Sequence, residues 1–134
     1  MSTKRLLEGI EGYLGKEQAQ CLLDLAQNSE EKAYFVEMID KLSKHIDQMP
    51  VTYETDEQGM QALAQLHYFK GCMDWWITEK DIEGRTQAFG WADLGSGGEL
   101  GYINIDSLTQ NGVELDLYWT PKPLADVIGP HGCH

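Results

Sequence analysis

Six acids occupy strand-like stretches in the second half of the chain. Glu79 and Asp81 close one alternating run, Asp93 and Glu99 flank a glycine-rich turn, and Glu114 and Asp116 share a face of another. Oxygen donors gathered together suit Mg²⁺ or Mn²⁺, and such an ion supports metal-assisted phosphodiester hydrolysis. No D-x-D-x-D-G loop or acid-plus-lysine nuclease pattern accompanies them, and Lys80 between Glu79 and Asp81 is only suggestive. The plainer expectation is a solvated sheet face with strand-end acids holding turn amides. His67 is the one histidine within the sheet half's strands, and the nearest nucleophile in sequence is Cys72. No nucleophile motif accompanies the pair, so a histidine satisfied by a backbone carbonyl is expected. His131, Cys133 and His134 offer soft donors for Zn²⁺ or Ni²⁺, but a structural zinc site takes four ligands and no C-x-x-C completes this set. A frayed terminus is the expectation there. Gly95, Ser96, Gly97 and Gly98 lack the Lys-Ser/Thr of a phosphate loop and read as a hairpin turn. No cofactor is therefore expected.

The aromatics are more informative. Trp75, Trp76, Trp91, Tyr102, Tyr118 and Trp119 all fall in the second half. Adjacent Trp75 and Trp76 must point to opposite faces of a strand, so both faces of the sheet carry apolar bulk. An exposed Trp/Tyr patch ringed by carboxylates would be a protein-binding surface, because aromatics dominate interface hot spots. The candidate partner-binding residues are Trp76, Glu79, Asp81, Asp93, Glu99, Tyr102, Glu114, Asp116 and Tyr118.

The elements that position these residues divide at Pro50. Before it, apolar residues recur at helical spacing in three stretches. Leu6, Leu7, Ile10, Tyr13 and Leu14 mark the first; Ala19, Cys21, Leu22, Leu23 and Ala26 the second; Ala33, Phe35, Val36, Ile39, Leu42 and Ile46 the third. Cys21 reads as buried within its helix. Residues 51–62 form an acidic loop. Over residues 63–128 the period turns to two, and strands are expected at 66–69, 73–79, 87–94, 100–105 and 113–119, joined by short turns as an antiparallel meander. Residues 129–134 form a flexible tail. The expected fold is α+β in a single domain over 1–134, a three-helix N-terminal segment packed on a five-stranded antiparallel meander sheet.

A chain of 134 residues supports one core of ordinary size. Residues 1–50 carry six Lys/Arg and nine Asp/Glu, a net −3, whereas residues 51–134 carry four and thirteen, a net −9. The acidity thus belongs to the sheet half. It disfavours direct contact with nucleic-acid backbone, which requires Lys and Arg. No apolar run reaches the roughly 20 residues of a membrane helix, and no signal-peptide core follows the first residues. Three widely spaced cysteines, Cys21, Cys72 and Cys133, fit reduced thiols in a cytoplasmic setting better than a disulfide scaffold.

The order Leu66-His67-Tyr68-Phe69, Asp74-Trp75-Trp76-Ile77-Thr78-Glu79-Lys80-Asp81 and Ala88-Phe89-Gly90-Trp91-Ala92-Asp93-Leu94-Gly95 continues through Glu99-Leu100-Gly101-Tyr102-Ile103. It ends in Glu114-Leu115-Asp116-Leu117-Tyr118-Trp119 and Pro121-Lys122-Pro123-Leu124. Over about residues 64–128 this series resembles an uncharacterised family of small proteins carried on plasmids, prophages and integrative elements. The resemblance implies a mobile-element context and no particular reaction. Every catalytic constellation is incomplete, so the expected function is binding. The partner would be a protein with a basic surface, such as a nucleic-acid-handling defence protein of the restriction or CRISPR kind, inhibited by an acidic sheet that imitates nucleic acid. The alternative is a metal-dependent enzyme on nucleic acid or nucleotide, using Glu79, Asp81, Glu99 and Asp116.

Overall fold

The computed structural model describes residues 7, 8, 10, 12–51, 54, 58–95 and 97–127. Two helices come first, α1 over Lys16–Asn28 and α2 over Lys32–Gln48. Each is amphipathic, burying Leu22 and Ala26 of α1 and Ile39 and Ile46 of α2. Ser29 makes the break between them: its Oγ donates to Leu25 O (2.6 Å) and accepts from Glu31 N–H (3.2 Å). Met49 leaves the helix in extended backbone, and Pro50 follows it.

Among the described residues the N-terminal segment holds two complete helices rather than the three expected, with Leu7 and Glu8 also helical ahead of them. Much of the stretch read as the first helix lies outside the described residues. Within it, Ile10 N–H bonds to Leu7 O and Tyr13 N–H to Ile10 O, the spacing of successive turns. Gly12 sits at φ +90°, and a Cβ there would collide with the Arg85 guanidinium. The apolar spacing was real, but it serves a packed turn: Ile10, Tyr13 and Leu14 are all buried. Cys21, expected inside, is exposed and free. Cys72 is disulfide-bonded, so the expectation of uniformly reduced thiols does not hold for it.

The main sheet comprises β2 (Leu66–Lys70), β3 (Met73–Glu79), β4 (Ala88–Asp93), β5 (Gly98–Ile103) and β6 (Glu114–Leu115), ordered β5-β4-β3-β2-β6 and antiparallel throughout. The first four form the expected meander. The fifth does not follow β5; it lies against β2 at the opposite edge. Helix α3 (Ile105–Gln110) carries the chain back, with Ile105 and Leu108 buried in the helix-side core. The fifth strand is also shorter than its alternation suggested. Asp116 N–H reaches His67 O (2.8 Å), then the Asp116 carboxylate accepts from Tyr118 N–H (3.0 Å) and turns the chain away.

A second, two-stranded sheet pairs β1 (Leu63–Ala64) with β7 (Lys122–Pro123), beside a 3₁₀ turn at Gly59–Gln61 and the short helix α4 (Leu124–Val127). These pieces cover part of the main sheet's far face, where Ala64, Trp76, Leu124 and Val127 form a small second core. The larger core lies on the other face, between the sheet and the helices, around Tyr68, Trp75, Ile77, Ile39 and Leu22.

Three side chains tie helices to sheet. Lys80 Nζ donates to Ile46 O (2.8 Å) and Asp47 O (2.9 Å), placing a cation at the C-terminus of α2 where the helix dipole favours it. His45 Nε2 bonds to Gln65 O (2.9 Å). The Gln18 carboxamide acts like a peptide group against β6, donating to Leu115 O (2.7 Å) and accepting from Leu115 N–H (2.9 Å). That edge is thereby shielded. At the other edge, β5 has no strand beyond it among the described residues.

A β-bulge between Ile77 and Glu79 inserts Thr78, whose hydroxyl donates to Phe89 O (3.1 Å). Beside it, a Cβ on Gly90 would run into the backbone carbonyl of Trp76, whereas a Cβ on Gly101 of β5 would meet nothing within 4 Å. Gly90→Ala is therefore expected to destabilise the protein by about 3 kcal/mol, at the upper end of overpacking costs. Gly101→Ala should be neutral or stabilising by up to about 1 kcal/mol. Urea unfolding of the two variants checks the contrast.

Candidate functional site

The far face of the main sheet reads as rows across the strands. Register places Phe69 beside Glu114 on one flank and Asp74 on the other, with Asp93 beyond Asp74. The next row runs His67, Trp76, Trp91 and Leu100, and a third sets Glu79, Phe89 and Tyr102 side by side. An acidic row thus adjoins two aromatic ones.

Asp74 and Asp93 stand directly opposite each other, an arrangement that repels unless compensated. Compensation comes from separate donors. Asp93, buried, accepts from Gly95 N–H (2.8 Å). Asp74 Oδ1 faces His67 Nε2 at 2.7 Å, while Asp116 Oδ2 faces the other ring nitrogen, Nδ1, at 3.1 Å. The imidazole stacks on Trp76, with centroids 5.2 Å apart and planes 11° from parallel, and packs against Trp119 and Phe69. With both nitrogens engaged by carboxylates, His67 has none left for a substrate proton. The histidine expected to rest on a backbone carbonyl instead lies between two carboxylates. Its signal in the sequence was the hairpin: His67 and Asp74 flank a tight turn and meet diagonally across it. Asp116 could not have been found that way, being 49 positions distant.

The nine residues singled out as partner-binding distribute as follows. Trp76, Glu79 and Asp93 are buried. Asp81 organises the loop after β3, accepting from Glu83 N–H (3.0 Å) and Gln87 N–H (3.1 Å). Asp116 holds His67 and the turn that follows. Glu99, Tyr102, Glu114 and Tyr118 are exposed. Tyr102 projects from the far face of β5, at 56 % exposure, and packs edge-on against Phe89, with centroids 5.7 Å apart. Leu100, missed in the sequence, accompanies it at 40 % exposure. Tyr118 belongs elsewhere, in a cleft of about 300 Å³ between α2 and residues 117–121, together with Tyr34, Met38, Leu42 and Trp119.

The four acids required for a shared metal ion are dispersed. Glu99 is on one edge strand and Asp116 follows the other; four strand spacings of about 4.8 Å separate those strands by about 19 Å. Among the described residues no three His, Cys, Asp or Glu side chains form a metal-binding group. The histidines and cysteine of the tail lie outside the described residues. Lys80, flanked by two of these acids, caps α2.

No family model matches the chain, and no curated protein or solved structure does so either. Among the described residues, no helix is long and apolar enough to cross a membrane.

Two predictions arise from the carboxylates. Asp74→Ala removes one of the two carboxylates that face His67, in a partly exposed setting, and leaves the Asp116 contact. A loss of about 1–2 kcal/mol in urea unfolding is expected, between the values for surface and buried pairs. The Asp81 carboxyl is held below its ordinary value by the N–H of Glu83 first, with smaller help from Gln87, Thr86 and Gly84 against a modest desolvation cost. A lowered carboxyl contributes stability above its unfolded value and loses it as pH falls through the folded one. Protection of the amides of residues 81–87, corrected for intrinsic exchange, should fall as pH drops below about 4, and Asp81→Asn should remove that dependence.

Proposed function

We propose that this chain is a non-catalytic binding protein, and that its working surface is the β5 side of the far sheet face. The observation that carries this reading is the exposed pair Leu100 and Tyr102, seated beside Phe89 and Trp91 on an edge strand. Large apolar side chains grouped at the surface mark interaction sites more often than scattered ones do. Aromatic anchors of this kind supply most of the affinity in known interfaces.

The partner that fits is a protein with a basic surface. Residues 51–134 carry a net −9, so approach of a cationic face is accelerated by the field of the whole half. The sheet acids act mainly through that field, because Asp74, Asp93 and Asp116 are already held by internal hydrogen bonds. In the mobile-element context that the resemblance implies, a nucleic-acid-handling defence enzyme is the natural class of target. Blocking its cationic groove would inhibit it without any chemistry on the chain's part.

The test is an affinity pull-down from host lysate at about 50 and about 300 mM salt, with mass spectrometry of retained proteins. A basic partner that is retained at the lower salt and lost at the higher supports the reading. The Leu100→Ser, Tyr102→Ser double variant should weaken retention of that partner at least about tenfold with an unchanged melting temperature. Undiminished retention by a folded double variant would overturn the assignment of this surface.

A further inference from the structure

The geometry points to a proton-operated latch: His67, gripped between Asp74 and Asp116, fixes the turn at residues 116–119 to the sheet only while its ring carries two protons. This inference is independent of the partner reading and concerns the chain's own conformation.

A neutral imidazole has one N–H and one lone pair. Here each ring nitrogen faces a carboxylate oxygen, at 2.7 Å from Asp74 and 3.1 Å from Asp116. Only the doubly protonated ring donates to both. Removing one proton sets a nitrogen lone pair against a carboxylate, turning an attraction into a repulsion at the same spot. All three side chains are largely shielded, with the imidazole side chain at 14 % exposure, so water does little to soften the change. Trp76 lies parallel to the ring, with centroids 5.2 Å apart. The charged groups around the ring are Asp74 on β3, Asp93 opposite it on β4, Glu114 on β6 and Asp116 on the turn. Lys122 of β7 lies 4.9 Å from the centre of the Trp119 ring, which itself packs on His67.

Asp74 and Asp116 do not have equal positions. Asp74 is built into the β2–β3 hairpin, whose ladder persists whatever the ring does. Asp116 begins a turn secured by four other bonds: its own N–H to His67 O, Tyr118 N–H to its carboxylate, Trp119 N–H to Asp116 O (3.3 Å), and Trp119 Nε1–H to Ala64 O (2.8 Å). The turn is therefore the side that yields. Residues 117–119 form one wall of the cleft facing α2, so releasing them opens that cleft and uncovers Trp76.

The test is NMR on the full chain from about pH 5 to about pH 9, the range in which a histidine changes charge. It follows the His67 ring nitrogens and, after correction for intrinsic exchange, the hydrogen exchange of the Trp119 indole N–H. In the wild type the ring should pass from two protons to one, and indole exchange should accelerate at least about tenfold over the same interval. Asp116→Asn, which keeps the side chain's shape and removes its charge, should shift that acceleration to lower pH. His67→Gln should give fast indole exchange with no pH dependence. A ring singly protonated throughout, or the wild-type exchange profile in Asp116→Asn, would overturn the latch.

Discussion

Strand β3 is buried on both sides. From Trp75 to Glu79 every residue is shielded, although neighbouring side chains on a strand point in opposite directions. This one strand obliges the chain to cover two faces of a sheet. Helices α1 and α2 do so on one side with a broad apolar surface. The other side is covered by small pieces, two strands of two residues each, one helical turn and Trp119. The uneven cover explains why the far face carries both the second core and the exposed aromatic patch. What the small pieces reach is buried, and what lies beyond them, over β5, stays open.

The same constraint shapes the polar chemistry. Carboxylates on a half-covered face meet low dielectric and one another, and each found a local donor: Asp93 a turn amide, Asp81 a set of loop amides, Asp74 and Asp116 the two ends of one imidazole. Acids that are occupied in this way hold the fold together. The wide separation of Glu99 from Asp116 follows from the strand order itself.

Much of this was legible in the residues because it is local. The one-sided apolar spacing in α1 and α2, the alternation in β2 to β5 and the turn at Gly71 all depend on near neighbours, and the elements lie close to where those patterns put them. The first expected helix does not run on through Leu14, because Gly12 takes a positive φ beneath the Arg85 side chain, while Leu7 and Glu8 before it are helical. The place of β6 depended on where α3 delivers the chain, and alternation carries no information about which edge a strand joins. The His67 triad was half visible, since the hairpin brings Asp74 near, while Asp116 arrives only after the sheet has closed. Exposure of Leu100 and Tyr102 followed from how little material remained to cover β5.

The Gln18 carboxamide on β6 bears on where further strands could join the main sheet. A sheet that is open at both ends can add copies without limit, each new strand offering a fresh template to the next. Here the side-chain amide already occupies the Leu115 peptide group, so growth at that end is blocked by the chain itself. Among the described residues the β5 end is the uncovered edge of the main sheet, so edge-to-edge addition through that sheet would join two copies and stop. A single glutamine thus takes the place of a neighbouring strand at that edge.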